Sequence, residues 1–337
     1  KMKKTLILTK IIILILGFNL YGQKKIENSG LRIDSLYDVE INGTKQKILV
    51  QSKNINNPVL LWLHGGPGTS EMFINHYCMT KVINYFTVVQ WDQRGTALSY
   101  NETLKSSDIS FEKVFDDAVC LTEKLRKTYQ QDKIFIIGHS FGSVLGMHLI
   151  EKFPNLYYAY IGMGQVVNDT KSREITYKWL FERLSEDNDT ASISKIKEKH
   201  LVPRELITRY RGIYYNGKNL FDVIKTSPYY FDGYLDKYNE SMKFVRESNG
   251  KPEGKYTFIA IDSITKINVP IYFFEGKHDR IAACAPELVI DFCKKLEAPK
   301  KEIIWFENSA HHPNIDEPER FQNMIIDKVL KENYKKE

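Results

Sequence analysis

The chain has 337 residues, 42% of them hydrophobic and 27% charged, an ordinary globular balance with room for a large core. Its formal charge of +6 is concentrated at one end: Lys1, Lys3, Lys4 and Lys10 lie in a first 22 residues without an acid, leaving +6 − 4 = +2 for the rest. A near-neutral remainder with no dense Lys/Arg stripe argues against a nucleic-acid partner, which needs clustered cations to release counterions.

Those first lysines precede an apolar run, Ile11 to Phe18, and then Leu20-Tyr21-Gly22. The pattern reads as a secretory signal peptide over residues 1–22, with Gly22 as the small residue before cleavage. The run is much shorter than the ~20 apolar residues that span a bilayer, so the mature chain is expected to be secreted or periplasmic without a membrane span. Such a compartment permits disulfides. The four cysteines, Cys78, Cys120, Cys284 and Cys293, show neither a scaffold spacing nor a C-x-x-C or zinc pattern, and read as buried thiols.

Two extended stretches, Leu31 to Ile41 and Gln46 to Gln51, flank Asn42-Gly43 and read as a hairpin. Short apolar runs follow: Val59 to Leu63, Phe86 to Trp91, Ile134 to Ile137, Tyr158 to Met163, Pro270 to Phe274 and Ile303 to Phe306. Runs this short and this continuously apolar suit parallel strands buried on both faces. Helical periodicity lies between them, as in Phe111, Val114, Phe115, Ala118, Leu121 and Leu125. Alternating strands and helices predict an α/β fold with a mostly parallel central sheet.

Residues 166–256 break that rhythm. They carry no strong strand pattern and are rich in tyrosine: Tyr214, Tyr215, Tyr229, Tyr230, Tyr234 and Tyr238. They read as a helical cap inserted into a core built from residues 23–165 and 257–337. The cap tyrosines suit either an aromatic substrate pocket or half-buried surface.

The chemistry is written in four places. Gly138-His139-Ser140-Phe141-Gly142 matches G-x-S-x-G, and it follows a strand and opens a helical run. That setting projects a serine from a sharp turn and leaves the helix's first N–H groups facing a developing oxyanion. His64-Gly65-Gly66-Pro67-Gly68 follows an earlier strand and is placed to supply a second oxyanion donor. A serine needs a base and the base an orienting acid, in the chain order Ser, acid, His. Asp279 in Gly276-Lys277-His278-Asp279 is the natural acid, with Glu275 in reserve and His278 a solvated neighbour. His311 and His312 both qualify as base, and spacing does not choose between them. His148, on the helix after Ser140, reads as packing.

The set HGGPG, DQRG (Asp92 to Gly95), GHSFGS, GKHD and NSAH resembles the prolyl-iminopeptidase branch of the α/β-hydrolases from about Val59 to Phe321. The resemblance implies nucleophile Ser140, acid Asp279, base His311, and oxyanion donors from Gly65/Gly66 and Phe141. It implies Arg94 as a structural buttress and no cofactor or metal. Two departures stand out. The family's elbow is Gly-Gly-Ser-Trp-Gly, and its cap carries Trp-x-x-Trp-Glu, whose acid binds the substrate's amine. Here the nearest stretch is Tyr177 to Glu182, which offers Glu182 as amine ligand without the first tryptophan. The expected activity is release of N-terminal residues such as proline from short peptides. The alternatives are a carboxylesterase for small acyl esters and a non-catalytic binding protein on the same scaffold.

Overall fold

A computed structural model describes residues 32–199, 202–249 and 260–335. The segment read as a leader lies outside them. Among the described residues no helix is long and apolar enough to cross a membrane.

Eight strands form one sheet: β1 (Ile33–Ile41), β2 (Thr44–Ser52), β3 (Val59–Leu63), β4 (Thr87–Asp92), β5 (Ile134–His139), β6 (Tyr157–Met163), β7 (Ile271–Gly276) and β8 (Lys301–Phe306). Their spatial order is β1-β2-β4-β3-β5-β6-β7-β8. β1 and β2 are antiparallel, β2 is antiparallel to β4, and the strands from β4 to β8 run parallel. The hairpin turns at Asn42 (φ 44°) and Gly43 (φ 76°), the left-handed pair that matches the twist of its strands.

β3 shows why the apolar runs are continuous. All five of its residues are buried, with Leu61 and Leu63 packed into one core and Leu60 and Trp62 into the other. The period-2 alternation of a strand puts half of its side chains on each face, so a sheet covered on both sides needs apolar residues at every position. Helix α1 (Phe111–Tyr129) covers the first face with Val114, Ala118, Leu121 and Leu125. α2 (Phe141–Lys152) joins it there.

The stretch between β6 and β7 contains five helices and, among the described residues, no strand: α3 (Asp169–Glu186), α4 (Thr190–Lys199), α5 (Arg204–Arg209), α6 (Leu220–Lys225) and α7 (Tyr234–Asn249). Leu180, Leu184, Ile196 and Leu206 give α3 to α5 a small core of their own. α7 is pinned to the sheet instead. Tyr234 and Tyr238 are fully buried in the second core, and Ala97 N–H donates to Ser241 Oγ at 2.8 Å. After β7 comes α8 (Pro286–Lys295), and after β8 comes α9 (Pro318–Met324). All four cysteines are free; Cys284 precedes α8 and Cys293 lies within it.

Arg94 buttresses the hairpin end of the sheet. Its Nε and Nη2 donate to the two oxygens of Asp117 on α1 at 2.8 and 2.7 Å. Asn42 Nδ2 and Gln46 Nε2, from the hairpin, donate to the same carboxylate at 3.0 and 2.7 Å. Asp117 is fully buried and Arg94 nearly so, so neither charge has water to fall back on. Asp117→Ala is therefore expected to cost about 3–5 kcal/mol, the penalty of a stranded buried charge. Glu123→Ala, in an exposed pair with Arg126, is expected to cost under about 1 kcal/mol. Urea unfolding of both variants checks the contrast, and equal losses would contradict it.

Candidate active site

β5 ends at His139, and α2 begins at Phe141. Between them Ser140 takes φ 52°, ψ −117°, a backbone state that L-residues avoid. Ser140 N–H donates to Met163 O at 3.0 Å on the neighbouring strand. Its carbonyl accepts from Ser143 N–H and Oγ at 2.8 and 2.5 Å, which ties the serine to the first turn of α2.

β3 ends at the His64-Gly65-Gly66 turn. A Cβ on Gly65 would sit 3.1 Å from Ser140 Cβ, so this turn passes directly beside the serine. The turn is locked to the Asp92-Gln93-Arg94-Gly95 loop. Gln93 N–H donates to His64 Nε2 at 3.1 Å, and His64 Nδ1–H donates to Gly65 O at 2.8 Å. Burial drives the His64 imidazole down to about 4, so it is neutral. Asp92 is also buried, which pushes its carboxyl up to about 7, while Ser70 Oγ and Leu98 N–H donate to it at 2.5 and 3.0 Å.

Asp279 follows β7. Its Oδ2 accepts from His311 Nδ1–H at 2.7 Å and its Oδ1 from Ile281 N–H at 2.9 Å. Of the two adjacent histidines, His311 is the one bonded to Asp279. His312 is buried and stacks on Tyr214 with centroids 4.5 Å apart, and its Nδ1 has no hydrogen-bond partner. His278 stacks on Tyr215 at 4.2 Å and donates to Glu307 O at 3.1 Å. Glu275 accepts from Gln165 N–H at 3.0 Å, and burial holds its carboxyl well above the carboxylate range, so it is an uncharged structural group. His148 packs edge-on to Phe111.

Ser140, His311, Gly65 and Gly66 line one cavity of about 230 Å³. Phe141 is buried at the start of α2. Arg94 is engaged at the hairpin, and Glu182 is exposed on α3; neither lines the cavity. None of the six cap tyrosines lines it either.

A group below the serine has no counterpart among the sequence motifs. Glu71 Oε1 accepts from His139 Nδ1–H at 2.5 Å, and its Oε2 accepts from Trp62 Nε1–H at 2.7 Å. His139 Nε2–H donates to the carbonyl of His311 at 3.1 Å. With a carboxylate on one nitrogen and a carbonyl on the other, both ring nitrogens carry hydrogen, and the ring is an imidazolium. Burial opposes both charges, but the mutual attraction and the hydrogen bonds prevail, lowering Glu71 and raising His139. Two buried sets bring three potential metal-ligand atoms within 4.8 Å: Glu71, His139 and His312, and Asp279, Cys284 and His311. In each the closest pair is already joined by a hydrogen bond, which a metal would have to break. Burial raises the Cys284 thiol well above its ordinary value, so it stays protonated, and it donates to Gly164 O at 3.2 Å.

An eight-stranded, mostly parallel sheet with a strained serine turn, and a hydrogen-bonded Asp–His pair whose histidine lines the same cavity as the serine, defines an enzyme of the α/β-hydrolase fold. Within that class the chain belongs to the serine aminopeptidase S33 family, whose profile, described as "Serine aminopeptidase, S33", matches residues 55–202. The probable aminopeptidase YbaC of Bacillus subtilis is 32% identical over 305 residues, covering 86% of this chain and 94% of that protein. The proline iminopeptidase of Saccharolobus solfataricus is 24% identical over 307 residues, covering 82% and 87%. The crystal structure of the Mycobacterium smegmatis proline iminopeptidase shares the fold, with a TM-score of 0.65 at 14% identity over 89% of this chain and 99% of that one.

Burial holds the His311 imidazole below its ordinary range against the pull of Asp279, and the His139 cation adds to the depression. In an imidazole NMR titration His311 is therefore expected to lose its proton below pH ~6.5 and His139 above it. Glu71→Gln removes the charge that keeps His139 protonated. His139 should then titrate lower, and His311, relieved of a neighbouring cation, should titrate higher. An unmoved His311 would contradict this coupling.

Proposed function

We propose that the chain is a serine hydrolase that releases N-terminal residues from short peptides through an acyl-enzyme. Ser140 attacks the scissile carbonyl. His311 takes the hydroxyl proton and returns it to the leaving amine, while Asp279 holds the imidazole in the Nδ1–H tautomer and offsets its charge. The N–H groups of Gly66 and Phe141 receive the oxyanion, with Gly65 shaping the turn. Water then hydrolyses the acyl-enzyme, with His311 as base again. The observation that carries this reading is the 2.7 Å His311–Asp279 bond at the wall of the cavity that also holds the strained Ser140.

Helices α3 to α7 act as a cap. α5 and the chain after it supply Ile207 to the cavity, Ile213 O as acceptor for His311 N–H at 3.1 Å, and Tyr214 against His312. Ile207, Ile281, Ala282 and Ala283 give the cavity an apolar wall suited to a small apolar residue. Its volume lies below the ~300–1,000 Å³ of drug-sized ligand pockets, which favours short substrates. Carboxylesterase activity is the second reading. It is favoured by the engagement of both oxygens of Glu71, the acid that lines the cavity, which leaves no unoccupied carboxylate there for an amine.

A fluorophosphonate probe should label the parent protein, and Ser140→Ala should abolish labelling. Asp279→Asn should lower the hydrolysis rate by roughly 10³–10⁴-fold, the loss expected when the base is left in the wrong tautomer. Proline p-nitroanilide against p-nitrophenyl acetate separates peptidase from esterase. A parent protein that takes no label would return the chain to the binding-protein alternative.

A further inference from the structure

We propose that the cavity recognises a free carboxylate on its substrate, through Arg204 and Arg173, and so selects short peptides with an unblocked C-terminus. The inference deepens the reading above and rests on Ser140 as the acylated residue.

Both arginines line the same cavity as Ser140 and His311. Arg204 opens α5, is exposed, and forms no ion pair with any of the described residues. Its charge reaches the reaction centre. After burial and the neighbouring charges, it is among the groups that depress the proton affinity of both His311 and His312. Arg173, on α3, gives its Nε–H to Asp169 Oδ2 at 2.9 Å. That bond uses one of the five N–H donors of a guanidinium and leaves its terminal fork unassigned.

The rest of the wall sets the sign of the cavity. Glu71 is its only acid; one oxygen is taken by the His139 imidazolium and the other by Trp62. Glu71 and His139 cancel and Asp169 offsets Arg173, which leaves the exposed Arg204 guanidinium as the cation of the wall that is paired with no described acid. An approaching ammonium group meets like charge, while a carboxylate meets a planar fork that matches its two oxygens. Glu182, the acid whose sequence position suggested an amine ligand, is exposed and outside the cavity.

Size then limits where the carboxylate sits. A cavity of about 230 Å³ suits an acyl residue with a short leaving group. A free C-terminal carboxylate one residue past the scissile bond is the anion that such a cavity can hold. The same arginines would repel a longer peptide less by charge than by lack of space.

The test is protection of Ser140 from a fluorophosphonate probe. Prolyl-alanine with a free carboxylate is expected to slow labelling at roughly ten-fold lower concentration than prolyl-alaninamide, the ratio that one charge-assisted contact supplies. Arg204→Ala should bring that ratio close to one, and Arg204→Lys should retain part of it, since the charge survives and the fork does not. Arg183→Ala, in an exposed pair with Glu186 on α3, should leave the parent ratio. Equal protection by acid and amide, or no protection by the acid, overturns the proposal. Absence of labelling in the parent would instead fail the assignment of Ser140, and this inference with it.

Discussion

The site depends on one close approach of backbones. A Cβ on Gly142 would lie 2.1 Å from the carbonyl oxygen of Leu63, so the first turn of α2 rests against the end of β3. No side chain fits there, and only that contact brings the serine turn beside the His64-Gly65-Gly66 turn. Ser140 is forced into the left-handed region, at a cost on the order of 1–3 kcal/mol, and the surrounding bonds over-determine it. Gly276 repeats the device on the other side: its Cβ would sit 1.9 Å from Ala310 O, pressing the Asp279 turn onto the loop that carries His311. Two glycine contacts thus join three loops, and the hydroxyl, imidazole and carboxylate follow as consequences.

Below this arrangement lies a buried ion pair that the reaction does not consume. Glu71 and His139 are almost completely shielded from water, and burial alone would neutralise both. They remain charged because each satisfies the other, with Trp62 and the His311 carbonyl taking the remaining valences. The His139 ring also lies 4.7 Å from the rings of both His311 and His312. The pair therefore holds the main chain of His311 from beneath and sets the electrostatic background in which its imidazole titrates. A residue that occupies the variable position of the serine motif thereby becomes a structural and electrostatic foundation for the histidine 172 residues away.

Much of this was legible in the sequence for a physical reason. A sheet covered on both faces demands uninterrupted apolar runs, and those runs located six strands. Their ends were shifted by a residue or two. Pairing continues into Asp92, His139 and Gly276, which the apolar pattern omits, because hydrogen bonds in the ladder do not read side chains. Ser140 and Asp279 stood out because their turns carry glycine, Gly138 and Gly142 about the serine and Gly276 before the aspartate, whereas spacing left His311 and His312 equivalent and only the bond to Asp279 distinguishes them. Glu71 did not stand out, since a lone glutamate in a loop has no local signature, and its partner lies 68 residues on. Tyr234 and Tyr238 looked like pocket or surface, but they fill the second core beneath α7. Glu182 follows the buried Leu180 by two positions, about 200° around the helix, and so faces outward.

That last point separates two kinds of information in the chain. The serine turn, the Asp279 turn and the His311 loop follow strand ends and are brought together by close backbone contacts at Gly142 and Gly276. α3 and α5 add Arg173, Arg204 and Ile207 to the cavity wall, from helices whose own core of Leu180, Leu184, Ile196 and Leu206 is separate from the sheet. Such a layer can exchange an acid for an arginine without disturbing the serine turn. A shared fold therefore does not carry a shared substrate, which would require the same side chains on the insertion. In this chain the insertion presents guanidinium groups where an amine-binding enzyme needs carboxylates, so specificity has to be argued from the cavity wall and not from the motif that defines the family.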